Sequence, residues 1–164
     1  ISKLKNESKH IYKYNSIDNS KYCSDNTIIV NNFGKENLEY LTDKHFQSFL
    51  TLPTNGIPKM IEYIHFNPNH PENHNIRIKN KKLKWAEVKE DNKWIIKHKK
   101  EVLDDLIDNG FITLEEYKDK NLDNLDDLLV DRYLKMSKFY NDNKDDLMSK
   151  TELVVLNGSK NIEI

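Results

Sequence analysis

Residues 65–78 of this chain read HFNPNHPENHNIRI, and the composition of this stretch is the most unusual in the sequence. Pro68 and Pro71 lie three residues apart, a spacing that excludes both a helix and the interior of a sheet. Three histidines, four asparagines and a glutamate make the stretch strongly polar. It therefore predicts an ordered loop between a helical region and a sheet, and it is the first candidate for a functional site.

Two short helices are predicted on the N-terminal side of this loop. The pair Thr42–Asp43 offers an N-cap for a helix that reaches about Leu52. Pro58 suits the first turn of a second helix, which ends near His65. The β-branched run at residues 27–30 precedes both helices and predicts a short strand.

A small antiparallel meander is predicted on the C-terminal side of the loop. Short polar turns separate its three strand candidates. The candidates are Asn75–Ile78, Lys84–Val88 and Trp94–Lys97.

Further helices are predicted after the meander. The first spans about Lys99–Asp108, with Gly110 as its C-cap and a capping box at residues 113–116. A long helix follows at about Leu122–Tyr140, where apolar residues recur every three to four positions. The apolar run Leu153–Leu156 predicts a last strand.

The length and composition favour a single α+β domain. The chain has 164 residues, of which 37% are hydrophobic, enough to build one core. We expect a small antiparallel β-meander packed against several helices, including one long C-terminal helix. The domain is predicted to span residues 26–157, between a flexible linker or tail at 1–25 and a short tail at 158–164.

The sequence also constrains the cellular compartment. No apolar run approaches the roughly 20 residues that span a bilayer, so we expect no membrane association. The single cysteine, Cys23, has no internal partner with which to form a disulfide. A reducing compartment is therefore predicted, and secretion is not.

The charges are distributed unevenly along the chain, although the formal net charge is only −1. Residues 76–100 contain ten Lys or Arg and three Asp or Glu, whereas residues 101–131 contain two basic and eleven acidic residues. The basic region could bind a polyanion, or the acidic and basic regions could pair between copies. Alternatively, they are two solvated faces that neutralise each other.

Nucleic-acid binding is the function that the basic meander favours, with phosphates contacted by cations and bases stacked on Trp85 or Trp94. The alternative for the two tryptophans is a cross-strand pair that packs in the core. Because most of the cations are lysines, any binding should be weakly sequence-specific. The candidate residues are Arg77, Lys79, Lys81, Lys82, Lys84, Trp85, Lys93 and Trp94.

The loop suggests a second hypothesis, an HNH-like nuclease that depends on a divalent metal ion. His65 would be the general base, and His70, Asn73 and His74 are the candidate metal ligands. The alternative is structural, since His and Asn side chains satisfy backbone groups in tight loops. We expect no cofactor other than this metal ion, and the metal only if the nuclease hypothesis holds.

Several strings resemble those of a known family. They are IVNNFGKENLEYL at 29–41, IPKMI at 57–61, IHFNP at 64–68 and PENHNI at 71–76. They are similar to segments of an uncharacterised protein family of giant and other large nucleocytoplasmic DNA viruses, mimivirus-like and iridovirus-like, over roughly residues 28–157. A C2H2 zinc finger often precedes the domain in that family, whereas here Cys23 is at most a remnant.

The resemblance implies a role linked to nucleic acid in an infected host cell, in its cytoplasm or nucleus or in the virion. We therefore expect a non-catalytic viral nucleic-acid-binding or assembly domain that uses its Lys-rich sheet. The nuclease is one alternative. The other is a protein-interaction module, in which the acidic and long amphipathic helices mediate self-association.

Overall fold

The computed structural model describes residues 28–162 and confirms the α+β class, with five α-helices and a three-stranded antiparallel sheet in that range. The helices are α1 (Asp43–Leu50), α2 (Gly56–His65), α3 (Lys99–Lys120), α4 (Asp127–Asp142) and α5 (Lys144–Ile162). The strands are β1 (Ile76–Arg77), β2 (Trp85–Glu90) and β3 (Lys93–His98). The predicted linker at 1–25, including Cys23, lies outside the described residues.

The meander is confirmed, with its strands in the order β1-β2-β3. Asp91 and Asn92 form the two-residue turn between β2 and β3 with φ values of +50° and +62°. Positive φ at both positions is typical of the hairpin turn that matches the twist of its strands. This turn fixes the register, which pairs Lys89 with Trp94 and Glu87 with Ile96.

The core lies between one face of the sheet and helices α2, α3 and α5. The sheet contributes Ile76, Ala86 and Val88, which alternate with residues on the opposite face. Burying each large aliphatic side chain contributes about 1.5–3 kcal/mol, so this layer supplies much of the driving force for folding. The opposite face of the sheet is therefore the one directed to solvent.

The first two helices begin as the sequence predicts. Thr42 accepts a hydrogen bond from the backbone N–H of His45, and Nδ1 of His45 accepts one from the N–H of Thr42. This reciprocal capping box satisfies two N–H groups at the start of α1. Helix α2 begins at Gly56, where a Cβ atom would overlap the backbone oxygen of Phe49.

Helix α3 differs from its prediction, because it continues through Gly110 to Lys120. Gly110 is buried against helix α2, and a Cβ at this position would lie 3.1 Å from Cγ2 of Ile57. It therefore permits close packing of two helices and is not a C-cap. The predicted capping box at 113–116 is also wrong, since Thr113 lies within the helix and donates to the Asn109 carbonyl.

The C-terminal part contains two helices where one helix and one strand were predicted. Helix α4 begins at Asp127, not at Leu122, and the carboxylate of Asp126 caps it by accepting from the N–H of Leu129. The predicted strand Leu153–Leu156 is wrong, because it lies inside α5. Helix α5 extends to Ile162 and therefore includes most of the predicted tail at 158–164. A strand was also predicted at residues 27–30. Residues 28–30, the part of it that the structure describes, do not form a strand.

Helix α5 connects the C-terminal part of the chain to the sheet. The hydroxyl of Ser159 accepts a hydrogen bond from the backbone N–H of Ile78 at 3.0 Å and donates to the Val155 carbonyl. One residue earlier, Gly158 lies against the ring of Phe66, which a Cβ atom would overlap. None of the helices between residues 28 and 162 has the length and apolar character needed to cross a membrane.

Candidate nucleic-acid interface

The asparagines of the 65–78 loop hold the segment 31–37 against the rest of the molecule. Asn73 accepts from the side chain of Asn31 and from the N–H of Asn37, and it donates to the Asn37 carbonyl. The side-chain amide of Asn75 donates a hydrogen bond of 2.8 Å to Oε1 of Glu36. Both Asn73 and Asn75 are fully buried. Their hydrogen bonds offset the desolvation of the two amides and fix the position of the loop.

The three histidines of the loop each have a different hydrogen-bond partner. Nδ1 of His65 is 2.8 Å from Oδ1 of Asn75, and Nε2 of His74 donates to the Asn67 carbonyl. His70 lies 3.0 Å from Glu72 and stacks on Tyr40 at a centroid distance of 3.5 Å. Burial lowers the pKa of His74 and raises the pKa of Tyr40 to about 12.

This arrangement favours the structural interpretation of the loop. The predicted base His65 and the predicted ligands His70, Asn73 and His74 all hold parts of the chain together. Within residues 28–162, no group of three or more His, Cys, Asp or Glu side chains is arranged to hold a metal ion. Nuclease chemistry at His65 stays a prediction.

The second candidate site lies on the sheet, on the side opposite the core. Strand alternation and register place one set of side chains on this side, which we call the solvent face of the sheet. The strand residues of the set are Arg77, Trp85, Glu87, Lys89, Trp94, Ile96 and His98. Lys79, which follows β1, joins them through its ion pair with Glu87. Four of the predicted residues, Arg77, Lys79, Trp85 and Trp94, therefore lie on the same side of the sheet.

Trp94 is the centre of a cationic cluster on the solvent face. The guanidinium carbon of Arg77 lies 4.0 Å from the centroid of the Trp94 ring, and Nζ of Lys89 lies 4.7 Å from it. Both distances are within the range of cation–π attraction. Burial, and then the nearby charge of Arg77, lower the pKa of Lys89. An anion bound here would relieve the repulsion between the two cations.

Glu87 partly neutralises this cluster. Its Oε2 accepts from Nε of Arg77 at 2.5 Å and lies 3.5 Å from Nζ of Lys79. The hydrogen bond from Arg77 is the main reason that the pKa of Glu87 is lowered. The group formed by Glu87 and the cations Arg77, Lys79 and Lys89 nevertheless has a net charge of +2.

Trp85 lies in a different environment from Trp94. Its side chain is 48% exposed, and its ring lies 5.0 Å from the ring of His98, its cross-strand neighbour. Ile96, on the same face, is 65% exposed. The predicted cross-strand pair of tryptophans is therefore wrong, because Trp85 pairs with His98 and Trp94 with Lys89.

The remaining predicted cations lie beside the solvent face or behind it. Lys81 and Lys82 are exposed on the connection between β1 and β2, and Lys84 is exposed just before β2. Lys93 is in register with Glu90, and alternation directs it away from the face that carries Trp94. Sequence reasoning missed Lys89, Ile96 and His98, although alternation from the Asp91–Asn92 turn would have identified them.

Ion pairs outside this face use several of the other charges. Lys97 pairs with Glu90 at 2.6 Å, and Lys99 pairs with Glu152 of α5 at 2.8 Å. Lys144 pairs with Asp108 of the acidic helix α3. The acidic helix thus binds a lysine of α5, and the cations around Trp94 have their carboxylate partner within the sheet.

Comparison with known proteins adds no assignment. No family model, no curated protein and no solved structure matches the chain. The viral family that the sequence resembles stays a prediction.

Proposed function

We propose that this chain is a non-catalytic nucleic-acid-binding domain and that the solvent face of the sheet contacts the phosphates. The observation that carries the proposal is the cluster of Arg77 and Lys89 around Trp94, with Lys79 beside it. A net positive surface with aromatic side chains suits a polyanion whose bases can stack. Exposed lysines at 81, 82 and 84 lie on the connection between β1 and β2 and just before β2.

The binding should depend little on base sequence. Chain-wide, the two arginines are Arg77 and Arg132. Arg77 is held by Glu87 and Trp94, and Arg132 donates to the Thr51 carbonyl in the helical part. Arginine is the residue that most often reads guanine in a bidentate manner, and lysine acts mainly as a point charge. Phosphate contacts should therefore dominate the affinity.

The proposal is tested by fluorescence anisotropy with a labelled oligonucleotide at increasing salt. The wild-type chain should bind at low ionic strength and lose affinity steeply as salt displaces it, by about 0.7–0.9 log units per log unit of salt for each phosphate contact. Lys79→Glu should weaken binding about tenfold and flatten the salt dependence, because its side chain is 52% exposed and lies on the proposed face.

Lys138→Glu is the matched control. Lys138 is exposed on helix α4, which packs against helices α1, α3 and α5, and its reversal changes the net charge by the same amount. It should leave the affinity within about twofold, because Lys138 lies on a helix that packs against other helices and not on the proposed face. No binding by the wild-type chain at low salt, or equal weakening by both variants, would overturn the proposal.

The viral setting rests on the resemblance of residues 28–157. We propose on that basis that the chain works in a host cell infected by a large DNA virus. Self-association through the acidic and amphipathic helices stays a prediction, and the apolar side of α4 is used within the chain. Tyr133 and Met136 are buried, and Tyr140 stacks on Phe111 with centroids 4.2 Å apart.

A further inference from the structure

We infer that the nucleic acid bound by the solvent face is single-stranded, with one base stacked on Trp85. The inference rests on the proposed function and adds the class of nucleic acid. It follows from the different surroundings of the two tryptophans on one face. Trp94 is occupied by Arg77 and Lys89, whereas nearly half of Trp85 is open to solvent.

The exposure of Trp85 is unusual for a tryptophan on a strand that contributes to the core. Its neighbours on β2, Ala86 and Val88, are buried on the other side of the sheet. On its own side, the nearest aromatic group is His98, whose ring is tilted by 42° and is itself exposed. An open indole beside an imidazole is a platform on which a flat, unpaired base can stack.

The platform and the cationic cluster are separated along the sheet. Lys89 lies four residues after Trp85 along β2, which corresponds to about 13 Å. A bound chain must therefore extend over several nucleotides to place a base on Trp85 and phosphates beside Arg77 and Lys89. Sites of about four or more nucleotides are usual for sheet surfaces that bind single strands.

A duplex would use only part of this surface. Its base faces are covered by neighbouring base pairs, so Trp85 would gain no stacking partner except at an end. Arginine is better suited than lysine to bidentate contact with the base edges of a duplex, and the arginine on this face is already engaged by Glu87. A duplex would therefore make phosphate contacts alone, while a single strand would add the stacked base.

The test compares three labelled probes of equal length, about twelve nucleotides: an oligodeoxythymidylate strand, the corresponding duplex, and an abasic strand that keeps the phosphates. The thymidylate strand should bind about 5- to 150-fold more tightly than the abasic strand, the range that stacking of one base provides. Trp85→Ala should remove that advantage, and Trp85→Phe should keep most of it. Leu134→Ala, which removes an exposed apolar side chain from helix α4 and not from the sheet, is the matched control and should change little.

A fluorescence measurement locates the stacked base. In a Trp94→Phe variant, Trp85 is the one remaining tryptophan of the chain, and its emission should be quenched by the thymidylate strand but not by the abasic strand. Equal binding of thymidylate and abasic strands, tighter binding of the duplex, or unquenched emission would overturn this inference and leave phosphate binding intact. Failure of all three probes to bind at low salt would instead overturn the proposed function.

Discussion

His65 and Asn75 are joined in the interior by a hydrogen bond of 2.8 Å between Nδ1 and Oδ1. The amide nitrogen of Asn75 faces three acceptors, the carbonyls of Asn31 and Asn32 and Oε1 of Glu36. Its oxygen must therefore face the histidine, so Nδ1 of His65 carries the proton and donates it. One buried amide thus connects the end of α2, the start of the sheet and the segment that precedes both helices.

Asn75→Ala should destabilise the fold strongly. The change leaves buried His65 and three partly buried acceptors without this amide, and we expect a loss of about 3 kcal/mol in the free energy of unfolding. Asn69→Ala is the control, because Asn69 is exposed in the same loop, and it should cost less than about 0.5 kcal/mol. Urea unfolding followed by circular dichroism measures both, and similar costs would contradict a specific role for Asn75.

His74 should make the stability of the fold depend on pH. Burial lowers the folded-state pKa of His74 below its ordinary value of 6.5, so the unfolded chain takes up its proton first as pH falls. The stabilisation is present in full above the unfolded-state pKa and is lost as the pH falls toward the folded-state pKa. His74→Gln keeps a donor for the Asn67 carbonyl and removes the titration. As the pH is lowered from 7, the urea concentration at the unfolding midpoint should fall less for this variant than for the wild-type chain. Parallel pH profiles of the two proteins would contradict this role of His74.

Glu87→Gln should increase the affinity for nucleic acid. The change removes the carboxylate that neutralises Arg77 and Lys79, and the gain should be about two- to fivefold at low salt. Glu90→Gln is the matched control, since Glu90 pairs with Lys97 and both lie on the other side of the sheet. Anisotropy titrations compare the two variants. An equal increase in both would mean that net charge, not the solvent face, governs binding.

Gly56→Ala and Gly110→Ala should have clearly different effects. The Cβ at residue 56 would overlap the backbone oxygen of Phe49, which cannot move without displacing helix α1, and we expect a loss of about 2–3 kcal/mol. The Cβ at residue 110 meets only a methyl group of Ile57, and higher helix propensity offsets the crowding. Thermal unfolding should therefore place Gly110→Ala close to wild type and Gly56→Ala well below it.

The sheet was predictable because its signals are local. Polar turns separate three short β-rich runs, and the Asp91–Asn92 turn alone sets the register between β2 and β3.

The helical part was less predictable, because tertiary packing decided where its helices begin and end. Gly110 has the sequence signature of a C-cap, yet its contact with Ile57 makes it an interior residue of α3. The run at 153–156 resembles a strand, but Val155 is buried as part of a helical stripe.

The candidate site was only partly predictable for a related reason. Composition identified the basic region, but it could not separate the two sides of the sheet. Lys93 and Trp94 are adjacent in sequence and lie on opposite sides, whereas Arg77 and Trp94 are distant in sequence and lie in contact. In the 65–78 loop, the residue types that suit metal binding also suit buried hydrogen bonds, and only the folded structure shows which partners they have.

The bond between Ile78 and Ser159 has a consequence for synthesis of the chain. These residues are 81 positions apart, so a ribosome needs roughly 4 to 16 seconds to travel from one codon to the other. Strand β1 is therefore synthesised well before helix α5, which begins at Lys144 and packs against this strand. The apolar side chains of Ile76 and Ile78 lack this partner until α5 has been made. A mutation that slows docking of α5 would extend this exposure and lower the yield of folded protein without altering the nucleic-acid surface.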